Sequence, residues 1–379
     1  MDLTLSPPQQ TFLDRVDQFA REVVRPAAAA IDESDVFPGD LVKGAAALGL
    51  SGVAVPSDWG GAGLDMVTYA RALESIGRES ATLAVILSVN NSLVGSVLHR
   101  RGTAAQKDRW LRSIVDGSRI GAFALSEEEA GSDAGNQQTI AALDDRGYLV
   151  NGRKVWVANA EAADVFIIFA ATQPGARGRG ISAFLVPADS PGLSIEKTGE
   201  SLGVRGLGCR DVMLSDVRVE ADGLLGEASH GFRIAMTALE GGRVAIAAQA
   251  LGVGQAALDE ALAYARDREA FGQPIANYQA IQFMLADMAT ELDAARMLTW
   301  KAADACDRQA SSGVEAAMAK LMASEAAHRA ADKALQILAS SGYRRGTVVE
   351  RLFRDVRATE IYQGTSEVQR MIIAEDVLR

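Results

Sequence analysis

The chain has 379 residues, 48% apolar and 23% charged, with a net charge of −11. That length supports two or three core-forming units, and the composition is that of an ordinary globular protein. The acidic balance argues against nucleic acid as the main partner, because neutralising phosphates takes a basic surface.

Residues 1–117 read as helical. Ser6-Pro7-Pro8-Gln9 is a helix start, with Ser6 as cap, Pro7 in the first turn and Gln9 reaching back. Phe12, Val16, Phe19 and Val23 follow at helical spacing and mark one face. Pro26 is expected to kink or end that helix. Residues 56–61 are a loop by composition, and 66–76 and 81–101 are further helical stretches. Residues 118–227 change character. Short apolar runs at 148–150, 155–157, 165–169, 181–186 and 217–219 are bounded by Gly, Pro, Asp and Asn. That pattern predicts a compact β domain. Residues 228–379 are Ala-rich, and Ile281, Leu285, Met288 and Leu292 again mark one helix face. Long helices with short breaks predict a bundle. The order of the three zones points to one integrated α+β enzyme.

The longest apolar runs, such as 84–89 and 165–171, are core-sized, so no membrane span is expected. With neither a basic stretch nor an apolar core at the N-terminus, no secretion signal and a cytoplasmic setting are expected. Cys209 and Cys306 are expected as two reduced thiols. His99, His230 and His328 lack metal-ligand spacing, so no metal is expected. Gly252-Val253-Gly254-Gln255-Ala256-Ala257 imitates a dinucleotide fingerprint, but that motif must follow a strand. Here it sits in a helical run, and close helix packing is the better reading.

Four segments carry chemical information. Phe123-Ala124-Leu125-Ser126-Glu127, with Gly131-Ser132 beyond it, is a strand running into a Gly/Ser loop. Its backbone N–H groups suit an anion or a flavin edge, or simply an ordinary capped turn. Trp156-Val157-Ala158-Asn159 is an aromatic strand end, either a core residue or a cofactor wall. Arg268-Glu269-Ala270-Phe271-Gly272, followed by Gln279, suits a pyrophosphate clamp or a surface salt bridge with a helix stop. The fourth is Tyr362-Gln363-Gly364-Thr365-Ser366-Glu367, preceded by Gln336 and Ala339-Ser340.

In this order the four segments resemble the acyl-CoA dehydrogenase family, in its short-chain and bacterial branch, over essentially the whole chain. The resemblance implies an N-terminal helical domain (1–117), a middle β-barrel domain (118–227) and a C-terminal four-helix bundle (228–379). It implies FAD as cofactor. Phe123, Leu125, Ser126, Gly131 and Ser132 would line the flavin, and Trp156 and Ala158 would lie over its ring. Arg268, Phe271 and Gln279 would reach the FAD of a neighbouring subunit. Gln336, Ser340, Thr365 and Glu367 would be further FAD contacts. Ser132, Glu240, Arg243, Tyr362 and Gly364 would touch an acyl-CoA or acyl-carrier thioester. The resemblance further implies a homotetramer and, in an active enzyme, electron-transfer flavoprotein as acceptor.

In most members with this loop a glutamate between Tyr and Gly-Thr removes the α-proton of the thioester. Here the residue is Gln363, whose carboxamide has almost no basicity near neutral pH. A minority of the family carries the base at the position of Gly242, and glycine cannot serve. Glu240 is two residues away and points elsewhere on a helix. Ala158 replaces a threonine, and Ala339-Ser340 replaces a Gly-Gly pair. Three readings follow: a dehydrogenase with a glutamine introduced to trap a complex, a natural flavoprotein with altered chemistry, or a non-catalytic subunit of a heteromer beside an active homologue.

Overall fold

The computed structural model describes residues 4–308 and 313–379. Helix α1 (Pro7–Phe19) opens on the expected capping box, the Ser6 N–H donating to Gln9 Oε1 at 2.8 Å. It does not end at Pro26. A π turn over Ala20–Val24 widens the helix just before α2 (Arg25–Ser34), whose first turn holds Pro26. A wide turn spares the carbonyl that the proline ring would otherwise strike. It also rotates the buried stripe: Val16, Ala20 and Val24 are buried, whereas Val23 is 46% exposed.

Next come α3 (Gly39–Ala47) and α4 (Met66–Glu79). Then α5 (Ala81–Ser88), a second π turn (Val89–Gly95) and α6 (Ser96–Arg101) run on as one rod, before the short α7 (Ala104–Gln106) and α8 (Arg112–Val115). The rod corrects the reading of apolar run lengths, not the expectation of no membrane span. It runs 21 residues, and its most apolar 18-residue window has a mean hydropathy of 1.6, long and apolar enough to cross a membrane. It is instead a core helix, with 94% of its most apolar window buried in the fold. At its middle, Asn91 donates to Leu50 O (2.6 Å) and Leu87 O (3.0 Å), and Asn90 Oδ1 accepts from Gly121 N (3.0 Å).

Strands β1 (Gly121–Ala124), β2 (Ile140–Asp144), β3 (Gly147–Val157), β4 (Val165–Ala171), β5 (Ile181–Pro187), β6 (Leu193–Lys197) and β7 (Arg210–Val219) form one curled seven-stranded sheet. The order is β1-β4-β2-β3-β7-β6, with β5 antiparallel to β4. The runs 148–150 and 155–157 belong to a single strand, β3, interrupted by two register shifts against β7. One face of the sheet packs Val165, Ile167 and Phe169 against Leu93, Leu98 and Ile234. The other packs Phe166, Phe184 and Val212 into a core of its own.

The last zone is α9 (Gly231–Asp267), a hairpin of β8 (Glu269–Ala270) and β9 (Gln273–Pro274), then α10 (Gln279–Asp307), α11 (Gly313–Gly342), α12 (Val348–Thr359) and α13 (Ser366–Val377). Met288 and Leu292 are buried, with Ile281 and Leu285 packed half-buried beside them. The glycines of the false fingerprint do pack helices. A Cβ on Gly252 would lie 2.3 Å from Glu74 O, and one on Gly254 2.5 Å from Leu292 Cδ2. Neither cysteine is in a disulfide, and burial pushes the Cys209 thiol up to about 12.

Within α11, Ala339 has φ 51° and ψ −132°, outside any helix. Only glycine adopts that backbone without strain, which costs another residue about 1–3 kcal/mol. Ala339→Gly is therefore expected to raise Tm by roughly 1–4 °C in a calorimetric melt. An unchanged or lower Tm would show that the alanine is not strained.

Candidate functional site

A cavity of about 1230 Å³ opens where the sheet, the rod, α9 and the α12–α13 turn meet. Twelve of the residues singled out from sequence line it: Phe123, Leu125, Ser126, Gly131, Ser132, Trp156, Ala158, Arg243, Tyr362, Gln363, Gly364 and Thr365. Segments far apart in sequence are thus brought together. Arg268, Phe271, Gln279, Gln336, Ser340 and Glu367 stand elsewhere on the surface, exposed. Phe271 is 98% exposed at the tip of the β8–β9 hairpin. Glu240 also lies off the cavity, its Oε1 only 3.6 Å from where Gly313 would carry a Cβ, at the start of α11.

The α12–α13 turn has two consecutive left-handed residues, Gln363 (φ 54°) and Gly364 (φ 95°). Thr365 then caps α13, its hydroxyl accepting from Val368 N. Three side chains tie the turn down. Lys320 Nζ donates to Gly364 O at 2.7 Å, Gln369 Nε2 to the same oxygen at 2.8 Å, and the Tyr362 hydroxyl to Gln249 Oε1. Burial raises the Tyr362 phenol far above its ordinary pKa.

The carboxamide of Gln363 lies against the bare backbone of α9. A Cβ at Gly242 would fall 2.2 Å from Gln363 Oε1 and 3.0 Å from Leu93 Cδ2. Gln363 Oε1 is buried without a hydrogen-bond partner, and so is Nε of the neighbouring Arg243. Arg243 is only 6% exposed, and burial pulls its pKa below the ordinary arginine range, opposed by Glu240. Such unsatisfied polar atoms are costly in a closed core, so this corner of the cavity is built for a polar guest.

Opposite, a register shift between Lys154 and Val157 re-aims β3. Trp156 takes φ 55° there and presents a ring 58% exposed to the cavity. Beneath it lies a pair that the sequence did not announce. Lys154 Nζ, fully buried, donates to Glu127 Oε1 at 2.6 Å and to Leu125 O at 3.3 Å. Glu127 also accepts from Thr139 N at 3.1 Å and from Gln138 N. Burial pulls Lys154 down to about 8, with Glu127 opposing. Burial alone would raise Glu127, but Lys154 and these hydrogen bonds hold it below the ordinary carboxylate range. The pair fixes the loop that carries Leu125 and Ser126.

Sequence reasoning missed Lys320, Gln249, the tie made by Gln369 and the Lys154–Glu127 pair. Glu127 stood within a segment already singled out, and Gln369 two residues beyond another. The others are lone residues in helices or strands, and nothing local marks them.

The N-terminal, middle and C-terminal domains of acyl-CoA dehydrogenase match residues 6–118, 122–217 and 229–378. The human mitochondrial short-chain specific acyl-CoA dehydrogenase is 46% identical over 98% of this chain and 90% of its own. The fold superposes on butyryl-CoA dehydrogenase from Megasphaera elsdenii with a TM-score of 0.97 and 38% identity, each chain covered fully. A glutaryl-CoA dehydrogenase from Mycobacterium smegmatis, in complex with FADH2, superposes with a TM-score of 0.93 at 28% identity, over 98% of this chain and 95% of its own. Matches of this extent over all three domains leave one assignment: the chain belongs to the acyl-CoA dehydrogenase family.

Proposed function

We propose that this protein is an FAD-containing acyl-CoA dehydrogenase-type flavoprotein that binds and polarises a short- or medium-chain acyl thioester but abstracts its α-proton poorly. The observation that carries this reading is the carboxamide of Gln363, buried over Gly242 at the place where the family's two known base positions converge.

The residues present fit FAD. Trp156 offers an exposed aromatic plane, and a Cβ on Gly131 would meet nothing within 4 Å, so the backbone there is open to close approach. The cavity of about 1230 Å³ exceeds the ~300–1,000 Å³ of single small-molecule sites, leaving room for a ring system beside an acyl chain. FAD, when bound, supplies the hydride acceptor. The chain's own part is to hold the thioester carbonyl through the Gln363 backbone N–H. It must also exclude water with Val85, Val89 and Leu93, and accept the α-proton.

Only the last task lacks a residue. The carboxylates that line the cavity are Glu127, Glu128, Asp133, Glu200 and Asp211, all from the β-domain wall. On the wall of α9 and the 361–368 turn, the ionisable lining groups are Arg243 and Tyr362, and neither is a base near neutral pH. A homotetramer fits the exposed apolar side chains of the C-terminal zone, Phe271, Phe283 and Tyr343. Electron-transfer flavoprotein is the acceptor for whatever turnover remains. The same carboxamide supports a second reading, a silent thioester-binding subunit paired with an active homologue.

Anaerobic titration of the FAD-loaded chain with butyryl-CoA tests the proposal. The expected result is a saturable perturbation of the flavin spectrum while the oxidised band persists. Rapid bleaching of that band would overturn it by revealing a competent base. The absence of any perturbation would remove the thioester.

A further inference from the structure

Lys320 is fully buried in α11, and its ammonium donates to the carbonyl of Gly364 at 2.7 Å. No local helix rule calls for a lysine there. Neighbouring Ala316, Ala319, Ala323 and Ala327 are all buried against the core. An apolar residue at such a site is usually neutral or stabilising relative to a buried charge. Something other than stability accounts for the amine.

We propose that Lys320 is a positioning residue for the reaction centre: its ammonium latches the Gln363–Gly364 turn and so sets where residue 363 presents its backbone N–H and side chain. This rests on the thioester site argued above. Gly364 can take φ 95° freely, and Gln363 sits beside it at φ 54°; two left-handed residues in a row make a turn that must be held from outside. Lys320 reaches it from α11 and Gln369 from α13, both on the one oxygen.

The latch gains strength from a proton. Burial and then Arg243 of α9 pull Lys320 down to about 7, against Glu360 beyond α12, Glu367 of α13 and Glu325 of α11 itself, which favour the charged form. Glu360 is in turn engaged by His328 and Arg357. The sign follows from a lysine whose folded value lies below its unfolded one. Between about 7 and the ordinary 10.5 the unfolded chain binds more protons, so this group makes stability rise with pH. Its penalty is complete below 7. The latch runs the opposite way, charge-assisted below about 7 and weaker above, where the neutral amine donates without that assistance.

The test uses the FAD-loaded full chain as parent, Lys320→Met and Lys320→Arg. Hydrogen-exchange protection factors over residues 360–369, compared at pH 6 and 8.5, read the latch without any substrate. Lys320→Met is expected to lose protection in that segment alone, by about tenfold, with Tm unchanged or raised. Lys320→Arg is expected to restore most of it, and the parent to lose protection at pH 8.5. The second readout is the infrared carbonyl band of ¹³C-labelled butyryl-CoA bound to each protein. Its downshift on binding is expected in the parent and the arginine variant, and is expected to be lost with methionine. Unaltered protection in Lys320→Met overturns the latch, whatever the thioester does. Loss of protection without any binding of butyryl-CoA by the parent keeps the latch and overturns the thioester reading. Altered protection with an unaltered carbonyl band leaves a tie that positions nothing, and also overturns the proposal.

Discussion

Butyryl-CoA is expected to bleach the flavin of Gln363→Glu about 10²–10⁴-fold faster than that of the parent in anaerobic stopped-flow mixing, the usual weight of a general base. The change is isosteric, so the turn, the Lys320 and Gln369 ties and the fit against Gly242 are all retained. What changes is Nε2, which becomes oxygen, so that the buried Oε1, without a donor in the parent, shares a carboxylate's charge. Its lone pairs then become basic enough for the α-proton, and burial strengthens that basicity by raising the carboxyl pKa. Equal bleaching by both proteins would mean a base elsewhere. No bleaching by either, with FAD retained, would place the defect beyond residue 363, and Ala158 on the cavity wall is the first position to restore, as Ala158→Thr.

A carboxylate is also expected to work from α9. A side chain at residue 242 would enter the space that Gln363 Oε1 now occupies, 2.2 Å from the Cβ position. Gly242→Glu alone must displace the carboxamide and Leu93, an overpacking that costs about 1–3 kcal/mol, and it is expected to melt lower and stay inert. Gln363→Gly empties the space and suits φ 54°, but provides no base. The two together are expected to reduce flavin within roughly 10²-fold of Gln363→Glu, the allowance for an ångström of misplacement. A double variant no faster than Gln363→Gly alone would show that α9 does not face the reacting carbon.

Much of this was legible in the chain because it is local. The capping box at Ser6, the period of 281–292 and the apolar runs of β4 and β5 each lie within one element. The site motifs were legible because four short segments keep their spelling. The register of α1 was not, because the π turn inserts a residue that no fixed period anticipates, and Val23 turns outward as a result. The joining of 148–150 to 155–157 was hidden by the bulges that break their alternation. Lys154 and Lys320 were invisible for a different reason. Each reads as a surface lysine until the tertiary fold closes over it.

The Asn90-Asn91 pair in the π turn of the rod has a bearing on the chain's life before it folds. On a ribosome, the stretch from 81 to 101 is a hydrophobic segment still lacking one of its main partners, since α9 begins only at Gly231. Two amides at its midpoint make it a poorer guest for lipid and for other nascent chains, as gatekeeper residues do. In the folded chain the same amides find Leu50, Leu87 and Gly121 and cease to be exposed polar groups at all. The native hydrogen bonds are thus the second use of side chains whose first service is given while the protein is still being made.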